Sequence, residues 1–573
     1  MSSTAKIKRP SLVNWKIFWL IITIISLIWS LQTAGVFHQE LVNLGGLTLV
    51  QQFLSAAFSP ELSQEFLKLT LEASLKTLSF AVCGTFFSIL IGLIGGLFSS
   101  EIWWRSLSPH LLGTPWLFIR SLLAIPRSIH EAIWGLFFVN IFGLDPLVAI
   151  FAIAIPFGTI TAKVFSDILD ETPRQALTAL LSSGVSPLNA FLYTLFPQAF
   201  LNLLSYTFYR FECSIRSATL LGIIGAGGLG YQILLSLQSL RYHQVWTLLI
   251  ALVILTGLTD LWSSTLRHRL GAPSRLDLNI LQLKTEQSYS KSSKNLELQK
   301  HHFLSFFTLS GYFTLVLIVF SFWEINADFS KLLSPRTWQL FVSILQEAFP
   351  PDFSQLQQLL ILSQQTLALS ILAIIIAGLG GILLSFPAAN NFSLPGGIFD
   401  FSQYKSANFL NFGTLIWSLS RLILLFFRAI PEPIWALIFL FILFPGILPG
   451  AIALGLHNLG ILGRLMAEVT ENLDPHPLRS LSGLGATRPQ VFLYGVLPLT
   501  LPRFIAYILY RWEVCIRATV IVGLVGAGGL GRLLTEQLSS FDYRSIFATL
   551  IVFISLTLIV DFISHFIRQT LRE

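Results

Sequence analysis

Charge is what this chain of 573 residues has least of: Asp, Glu, Lys and Arg together make up 11% of it, where a soluble chain has about 25%. That scarcity, with 49 Phe, 14 Trp and 54% hydrophobic residues, excludes an ordinary soluble protein, whose core never needs so much apolar surface. Cysteine is scarcer still. Cys83, Cys213 and Cys515 sit in apolar segments with no C-x-x-C spacing and no His beside them, which excludes a disulfide frame or a thiolate metal site. No G-x-x-x-x-G-K-[ST] occurs, so ATP is not cradled by that route. No catalytic triad, metal cluster or carboxylate pair stands out, so the chain reads as no enzyme and binds no evident cofactor of its own.

What is present is long apolar runs. A bilayer-spanning helix needs roughly 20 mostly apolar residues, and six such runs fall in each half of the chain. In the first half they lie near 15–36, 73–99, 114–142, 146–170, 197–225 and 245–267; in the second near 304–323, 361–386, 411–443, 446–470, 499–526 and 544–567. The expected fold class is an all-α polytopic membrane protein of about 12 transmembrane helices. The net charge of +7 does not call for nucleic acid. Lys6, Lys8, Arg9 and Lys16 lead into the first run, which lacks a small-x-small cleavage site and reads as a retained signal anchor. Arg267, Arg269, Arg275, Lys284, Lys291, Lys294 and Lys300 lie between the halves, whereas 37–72 holds only one cation, Lys68, beside Glu40, Glu61, Glu65 and Glu72. Lys and Arg favour cytoplasmic loops, which predicts both termini and the 271–300 segment inside.

The two halves are copies. "YRFECSIRSATLLGIIGAGGLG" begins at Tyr209 and "YRWEVCIRATVIVGLVGAGGLG" at Tyr510, 301 residues later, with 12 of 22 residues identical. The same offset joins Arg127, Glu131 and Trp134 to Arg428, Glu432 and Trp435, and Asp260 to Asp561. An even number of spans returns the chain to its starting side, so the repeat is parallel. Domains are expected at 1–270 and 301–573, joined by a Ser/Lys/Gln-rich linker at 271–300. Pro156 stands where the second half has His457, so the copies have diverged.

Charged residues inside a span cost several kcal/mol unless paired or facing water. Glu212 and Arg216 are spaced i,i+4 on one helix face, with Arg210 on another, and Glu513, Arg517 and Arg511 repeat the pattern. Two readings stand: these side chains line a passage and favour an oxyanion, which guanidinium forks match well, or they clip helices together as a gate. Glu131 and Glu432 are expected to pair with Arg127 and Arg428 at i,i+4, and His457 reads as a hydrogen-bonded span residue. The run Gly225, Gly227, Gly228, Gly230, with its copy Gly526, Gly528, Gly529, Gly531, looks like a dinucleotide loop. It follows a helix rather than a strand, so it reads as a glycine-rich break near the outer surface, where backbones approach closely.

Between the fourth and fifth runs lies a polar elbow, "DETPRQALTALLSSGVSPLNAFLYTLFPQAF" and its copy "ENLDPHPLRSLSGLGATRPQVFLYGVLPLTLP". Each holds a short amphipathic helical pattern, about 174–189 and 475–490, then Gly184 or Gly485, then Pro197 or Pro498 opening the next span. A Gly followed thirteen residues later by Pro between two spans resembles the "EAA loop" of ABC importer permeases. The wording of 411–567, above all 491–531, is similar to the phosphonate-type importer permeases with a MetI-like fold.

The resemblance implies a permease subunit of the bacterial inner membrane for phosphonate, phosphite or phosphate-like oxyanions. It also implies coupling helices, at Ala179, Gly184 and Pro197 and at Arg479, Gly485 and Pro498. These dock into two cytoplasmic ATPase subunits, which hold the ATP and Mg, and an extracytoplasmic solute-binding protein delivers the cargo. One fused chain would stand in place of the usual permease dimer. The family's acidic residue six places before the loop Gly is absent: Thr178 and Arg479 stand there. The alternatives are a permease of the same superfamily for another solute, such as an amino acid, and an ATP-independent secondary transporter.

Overall fold

A computed structural model describes residues 15–37, 41–107, 114–270, 296–394 and 412–572. Among these the chain is all-α, with one isolated β-bridge between Val42 and Leu443. The first half holds α1 (Trp15–Thr33), α2 (Leu47–Ala56), α3 (Gln64–Ser99), α4 (Glu101–Leu107), α5 (Thr114–Ser128), α6 (Glu131–Phe142), α7 (Pro146–Glu171), α8 (Gln175–Ser182), α9 (Pro187–Leu221), α10 (Leu229–Gln238) and α11 (Tyr242–Leu270). The second half holds α12 (Leu296–Ile325), α13 (Pro335–Ala348), α14 (Leu356–Ala388), α15 (Asn390–Ser393), α16 (Phe412–Ala429), α17 (Glu432–Ile442), α18 (Ile447–Glu471), α19 (Pro475–Gly483), α20 (Arg488–Val491), α21 (Leu497–Leu524), α22 (Gly529–Ser539) and α23 (Tyr543–Arg572).

Nine helices among the described residues are long and apolar enough to cross a bilayer, and two bent pairs raise the number to eleven. The remaining expected span is α1, whose described part Phe18–Thr33 is shorter. Of the expected linker, 271–295 lies outside the described residues; from Leu296 the chain is already in α12.

Helix starts follow local chemistry. Asp145 accepts from the Leu147 amide ahead of α7, and Asp474 from the His476 amide ahead of α19, each with Pro in the first turn. An oxygen acceptor there satisfies an amide that has no helical partner, and Pro has no amide to satisfy.

Three expectations need correction. The third run of the first half is two helices, α5 and α6, bent by 84° at residues 129 and 130. His130 caps α6 by accepting from the Ala132 amide at 3.3 Å; apolar periodicity alone does not reveal such a break. Pro197 does not open the fifth span, because α9 begins at Pro187 and runs through it. Pro498 likewise follows a helical path that starts at Arg488, and a π turn, Phe492–Val496, precedes it. A wider turn relieves the clash of a Pro ring with the carbonyl four residues back. Last, 174–189 is not one helix. α8 covers Gln175–Ser182, Gly184 turns at φ +81°, and Pro187 starts α9.

The halves are interleaved. α12 lies on the first half, where Phe322 meets Phe86 and Phe87, and Trp262 meets Phe313. α1 lies on the second, where Trp19 meets Phe566. One buried core joins Leu220, Val245 and Leu249 to Ala368, Ile434 and Ile521. At one end the halves are tied by Asn43 N donating to the Ile442 carbonyl at 2.7 Å and by the ion pair of Lys331 with Asp145. α7 and α18 both run away from that end, so α8 and α19 share the opposite one.

The copies differ where α18 meets α16. A Cβ on Gly460 would stand 2.6 Å from the Arg428 backbone nitrogen and 2.7 Å from the Leu424 carbonyl oxygen. Small residues let membrane helices touch backbone to backbone. The counterpart of Gly460 in α7 is Thr159, whose side chain is buried and donates to the Pro156 carbonyl of its own helix at 2.9 Å. Gly460→Val should therefore cost about 1–3 kcal/mol, the usual range for overpacking, read as a lower thermal midpoint of the purified chain. Gly483→Val is the control, since nothing lies within 4 Å of a Cβ there.

Candidate functional site

The charged residues of the spans gather in two clusters, each formed where the halves meet. In the first, α9 and α11 face α16 and α18 of the other half. Tyr209, Glu212, Arg216, Thr256, Asp260, Arg428 and Arg464 line a cavity of about 20 Å³, room for about one water. Arg428 crosses between the halves and donates to Asp260 at 2.6 Å. Arg464 pairs with Glu468 at 2.9 Å, and Arg216 donates to the Cys213 sulfur at 3.1 Å.

The second cluster holds the counterparts, Glu513, Arg517, Asp561, Arg127 and Lys163, with different partners. Arg517 pairs with Asp561 at 3.0 Å and Arg568 with Glu513 at 2.6 Å. Both pairs join α21 to α23 within one half. Arg127 stands within electrostatic reach of Arg517 and Asp561, yet no ion pair of Arg127 forms among the described residues.

These geometries overturn two expected pairings. Neither Arg127–Glu131 nor Arg428–Glu432 forms among the described residues, while Glu513 and Arg517 each turn to the neighbouring helix α23. Arg428 pairs with Asp260 rather than Glu432, because a helix break separates 428 from 432; Arg127 and Glu131 flank the equivalent break. The two glutamates take histidine instead. Glu131 meets His130 Nδ1 at 3.1 Å and accepts from Ser217 at 2.7 Å. Glu432 meets His457 Nε2 at 3.3 Å. The histidine sits at different places: Pro431 is the counterpart of His130, and Pro156 that of His457. A histidine stands beside each glutamate, but through a different ring nitrogen and from a different place in the chain.

Arg210 and Arg511 are likewise held by different means. Arg210 donates to the Tyr206 hydroxyl at 2.8 Å and lies 5.0 Å from the centre of the Phe157 ring, an arrangement that offsets burial of the cation. Arg511 donates to the Asn458 side-chain oxygen at 2.5 Å, and Asn458 is the counterpart of Phe157.

The glycine run is a break in both halves. α9 ends at Leu221 and α10 leaves at 57°. Gly225, Gly227, Gly228, Gly526, Gly528 and Gly529 all have positive φ, which side chains resist. A Cβ on Gly230 would meet the Thr219 carbonyl oxygen at 1.8 Å, and one on Gly531 the Val520 oxygen at 2.6 Å. Thr77 and Thr366 accept from the amides of Leu229 and Leu530 at 2.8 and 2.9 Å, fixing each re-entry.

At the other end, α8 and α19 close in the same way. Val185 N donates to the Leu180 carbonyl and Ala486 N to the Leu481 carbonyl, a cap that needs positive φ at Gly184 and Gly485. Leu177 is buried against its own half with Ala190 and Phe191. Thr178, Ala179 and Arg479 face outward and are exposed.

A duplicated clamp above these helices escaped the sequence reading. Arg120 lies 4.5 Å from the centre of the Trp116 ring and donates to the Ser99 carbonyl at 3.0 Å and to Asp170 at 3.4 Å. Arg421 lies 4.6 Å from that of Trp417 and donates to the Ala388 carbonyl at 3.0 Å and to Glu471 at 2.5 Å. Each clamp ties the third span and the end of the second to the last turn before the loop helix. The signal was available: Trp116, Arg120 and Asp170 recur 301 residues on as Trp417, Arg421 and Glu471. In a double-mutant cycle Arg421→Ala and Glu471→Gln should couple by about 1–3 kcal/mol in thermal unfolding, as a charged hydrogen bond does. Additive losses would mean the pair is solvated and holds nothing.

The binding-protein-dependent transport system inner membrane component family matches residues 84–271 and 406–573, once in each half. The chain is 27% identical over 455 residues to the phosphate-import permease protein PhnE of Mycolicibacterium smegmatis, covering 79% of this chain and 77% of that one. It is 33% identical over 277 residues to the phosphite transport system permease protein PtxC of Stutzerimonas stutzeri, covering 47% of this chain and 94% of that one. With its two copies of one all-helical unit, the chain belongs to the family of binding-protein-dependent transport system inner membrane components, the permeases of ABC transporters.

Proposed function

We propose that the chain is the complete membrane pathway of an importer for phosphonate, phosphite or phosphate-like oxyanions. The observation that carries the reading is the pair of clusters between the halves, each with three cations against two carboxylates in α9, α11, α16 and α18 or their counterparts. A passage for a tetrahedral oxyanion needs a cationic wall, and the cost of its charges in an apolar bundle, several kcal/mol for one left unpaired, is offset in part by the Arg428–Asp260 and Arg517–Asp561 pairs. Guanidinium groups can exchange a carboxylate for an oxyanion with little change of geometry. The phosphate and phosphite permeases among the relatives agree with this cargo class.

Orientation and partners complete the proposal. The end bearing α8 and α19 faces the cytoplasm, and the end bearing the glycine breaks faces out, where a solute-binding protein delivers cargo. Two ATPase subunits receive α8 and α19 as coupling helices through their exposed outer faces. ATP binding draws the loop helices together. The clamps at Arg120 and Arg421 pass that motion to the third spans, which carry Arg127 and Arg428 into and out of contact with the facing half.

Reconstitution with its ATPase and a panel of loaded binding proteins tests the proposal. ATP hydrolysis should rise with a phosphonate-, phosphite- or phosphate-loaded partner and not with an amino-acid-loaded one. Ala179→Asp with Arg479→Glu should abolish ATPase assembly at unchanged thermal midpoint. Uptake without any ATPase would refute the class, and stimulation only by an amino-acid-loaded partner would refute the cargo.

A further inference from the structure

In the first cluster two donors lack an oxygen to bond, and both line the same cavity. In the second half Arg517 holds Asp561 at 3.0 Å. Their counterparts are Arg216 and Asp260, but Asp260 is taken across the halves by Arg428 at 2.6 Å. Arg216 forms no ion pair among the described residues, and its hydrogen bond goes to the Cys213 sulfur at 3.1 Å, a weak acceptor. Two further carboxylates are near. Glu432 acts on Arg216 from the other half but meets His457 at 3.3 Å, and Glu212 lines the cavity without pairing with Arg216. The second donor is Thr256. It is 5% exposed, and its hydroxyl has no hydrogen-bond partner among the described residues. Its counterpart Thr557 donates to the Ile554 carbonyl at 2.8 Å.

Arg216 and Thr256 border the cavity of about 20 Å³ together with Arg428 and Arg464. At rest that space takes one water. Around it, three guanidiniums, from α9 of one half and α16 and α18 of the other, face the carboxylates of Glu212 and Asp260. Buried donors without an acceptor are costly, so the site favours a ligand that brings oxygens to them. A tetrahedral oxyanion brings several: guanidinium forks take them in pairs and a hydroxyl takes another. The Asp260 carboxylate already sits on Arg428 as the oxygen of such an anion would.

We propose that Arg216, Thr256 and Arg428 form an oxyanion-binding site between the halves, held closed at rest by Asp260, which occupies Arg428 in the anion's place. This assignment rests on the oxyanion reading above and adds which cluster binds and what closes it. When the halves part, Arg428 leaves Asp260, the cavity widens, and the anion takes the freed guanidinium with the two waiting donors. The site is one-sided. Nε of Arg517 is also unbonded, yet Asp561 already neutralises that guanidinium, and Thr557 is spent on its own helix.

The test is equilibrium binding of radiolabelled orthophosphate, with methylphosphonate as competitor, to the full chain in lipid nanodiscs. Asp260→Asn removes the resident anion and should tighten binding about tenfold. Arg216→Gln should weaken it about tenfold, the size of one lost charge-assisted contact, in the wild type and in the Asp260→Asn background alike. Arg216→Lys should recover part of that loss, which a variant that merely failed to fold would not. Thr256→Val should weaken binding less than Arg216→Gln does, and Arg517→Gln far less. If Asp260→Asn yields no folded chain, Arg216→Gln against Arg517→Gln decides alone. The site is wrong if the wild-type and Asp260→Asn chains bind neither anion, if folded Asp260→Asn binds no tighter than the wild type, if Arg216→Gln binds as its parent does, or if Arg517→Gln loses as much as Arg216→Gln. Uptake by the assembled transporter separates the two claims. Normal oxyanion uptake by Arg216→Gln overturns this site and leaves the cargo standing, whereas wild-type uptake of an amino acid and no oxyanion overturns the cargo as well.

Discussion

A charge inside an apolar helix bundle is costly unless it is paired there or reaches water, and most of this structure follows from that. Water is not at hand to solvate a guanidinium or a carboxylate there, and a broken pair leaves the survivor exposed to the full cost. The chain meets the constraint by placing its charges where helices of the two halves face each other. Arg428 reaches Asp260 from the other half; Arg517 and Arg568 bind Asp561 and Glu513 along α23. The interleaving of α1 and α12 keeps those faces in register. The constraint also explains what function such charges can have. A pair that is stable only while closed becomes a switch when another anion can take the carboxylate's place.

Duplication made the site, and divergence made it uneven. Each copy needed an answer for a buried Arg at 210 or 511, and found different ones: aromatic rings with a tyrosine hydroxyl in one case, an asparagine oxygen in the other. Each needed a partner for its glutamate, and the histidine supplying it came from position 130 in one half and 457 in the other. Such exchanges keep the local chemistry while freeing the two sides to differ. At Gly460, where the first half has Thr159, the lack of a side chain lets α18 lie against the backbone of α16.

The class of fold and the repeat were legible from composition and from a single offset, because apolar length and identical residues are properties of the chain itself. Twelve expected runs correspond to the eleven spans and α1. The breaks were not legible. Apolar residues continue on both sides of residue 129, and only the cap at His130 and the 84° bend reveal two helices. Pro197 misleads for the opposite reason: proline commonly marks a helix start, and here it sits within a helix that begins at Pro187. Pairing failed most. Spacing of i,i+4 says which charges share a face, yet the nearest carboxylate to Arg428 lies on another helix, 168 residues away in sequence. The clamps at Arg120 and Arg421 are written in the repeat, but no helix face singles them out.

The central claim is that the interface between the halves is sustained by pairing, so that the members of a pair depend on each other. The Arg428–Asp260 bond tests it most directly, through thermal unfolding of the Arg428→Leu and Asp260→Leu single variants and the double variant. Each single change should cost about 3–5 kcal/mol by stranding a buried charge, and the double change should recover most of that loss. Losses that simply add would mean that the two charges do not rely on one another, and the account would be contradicted.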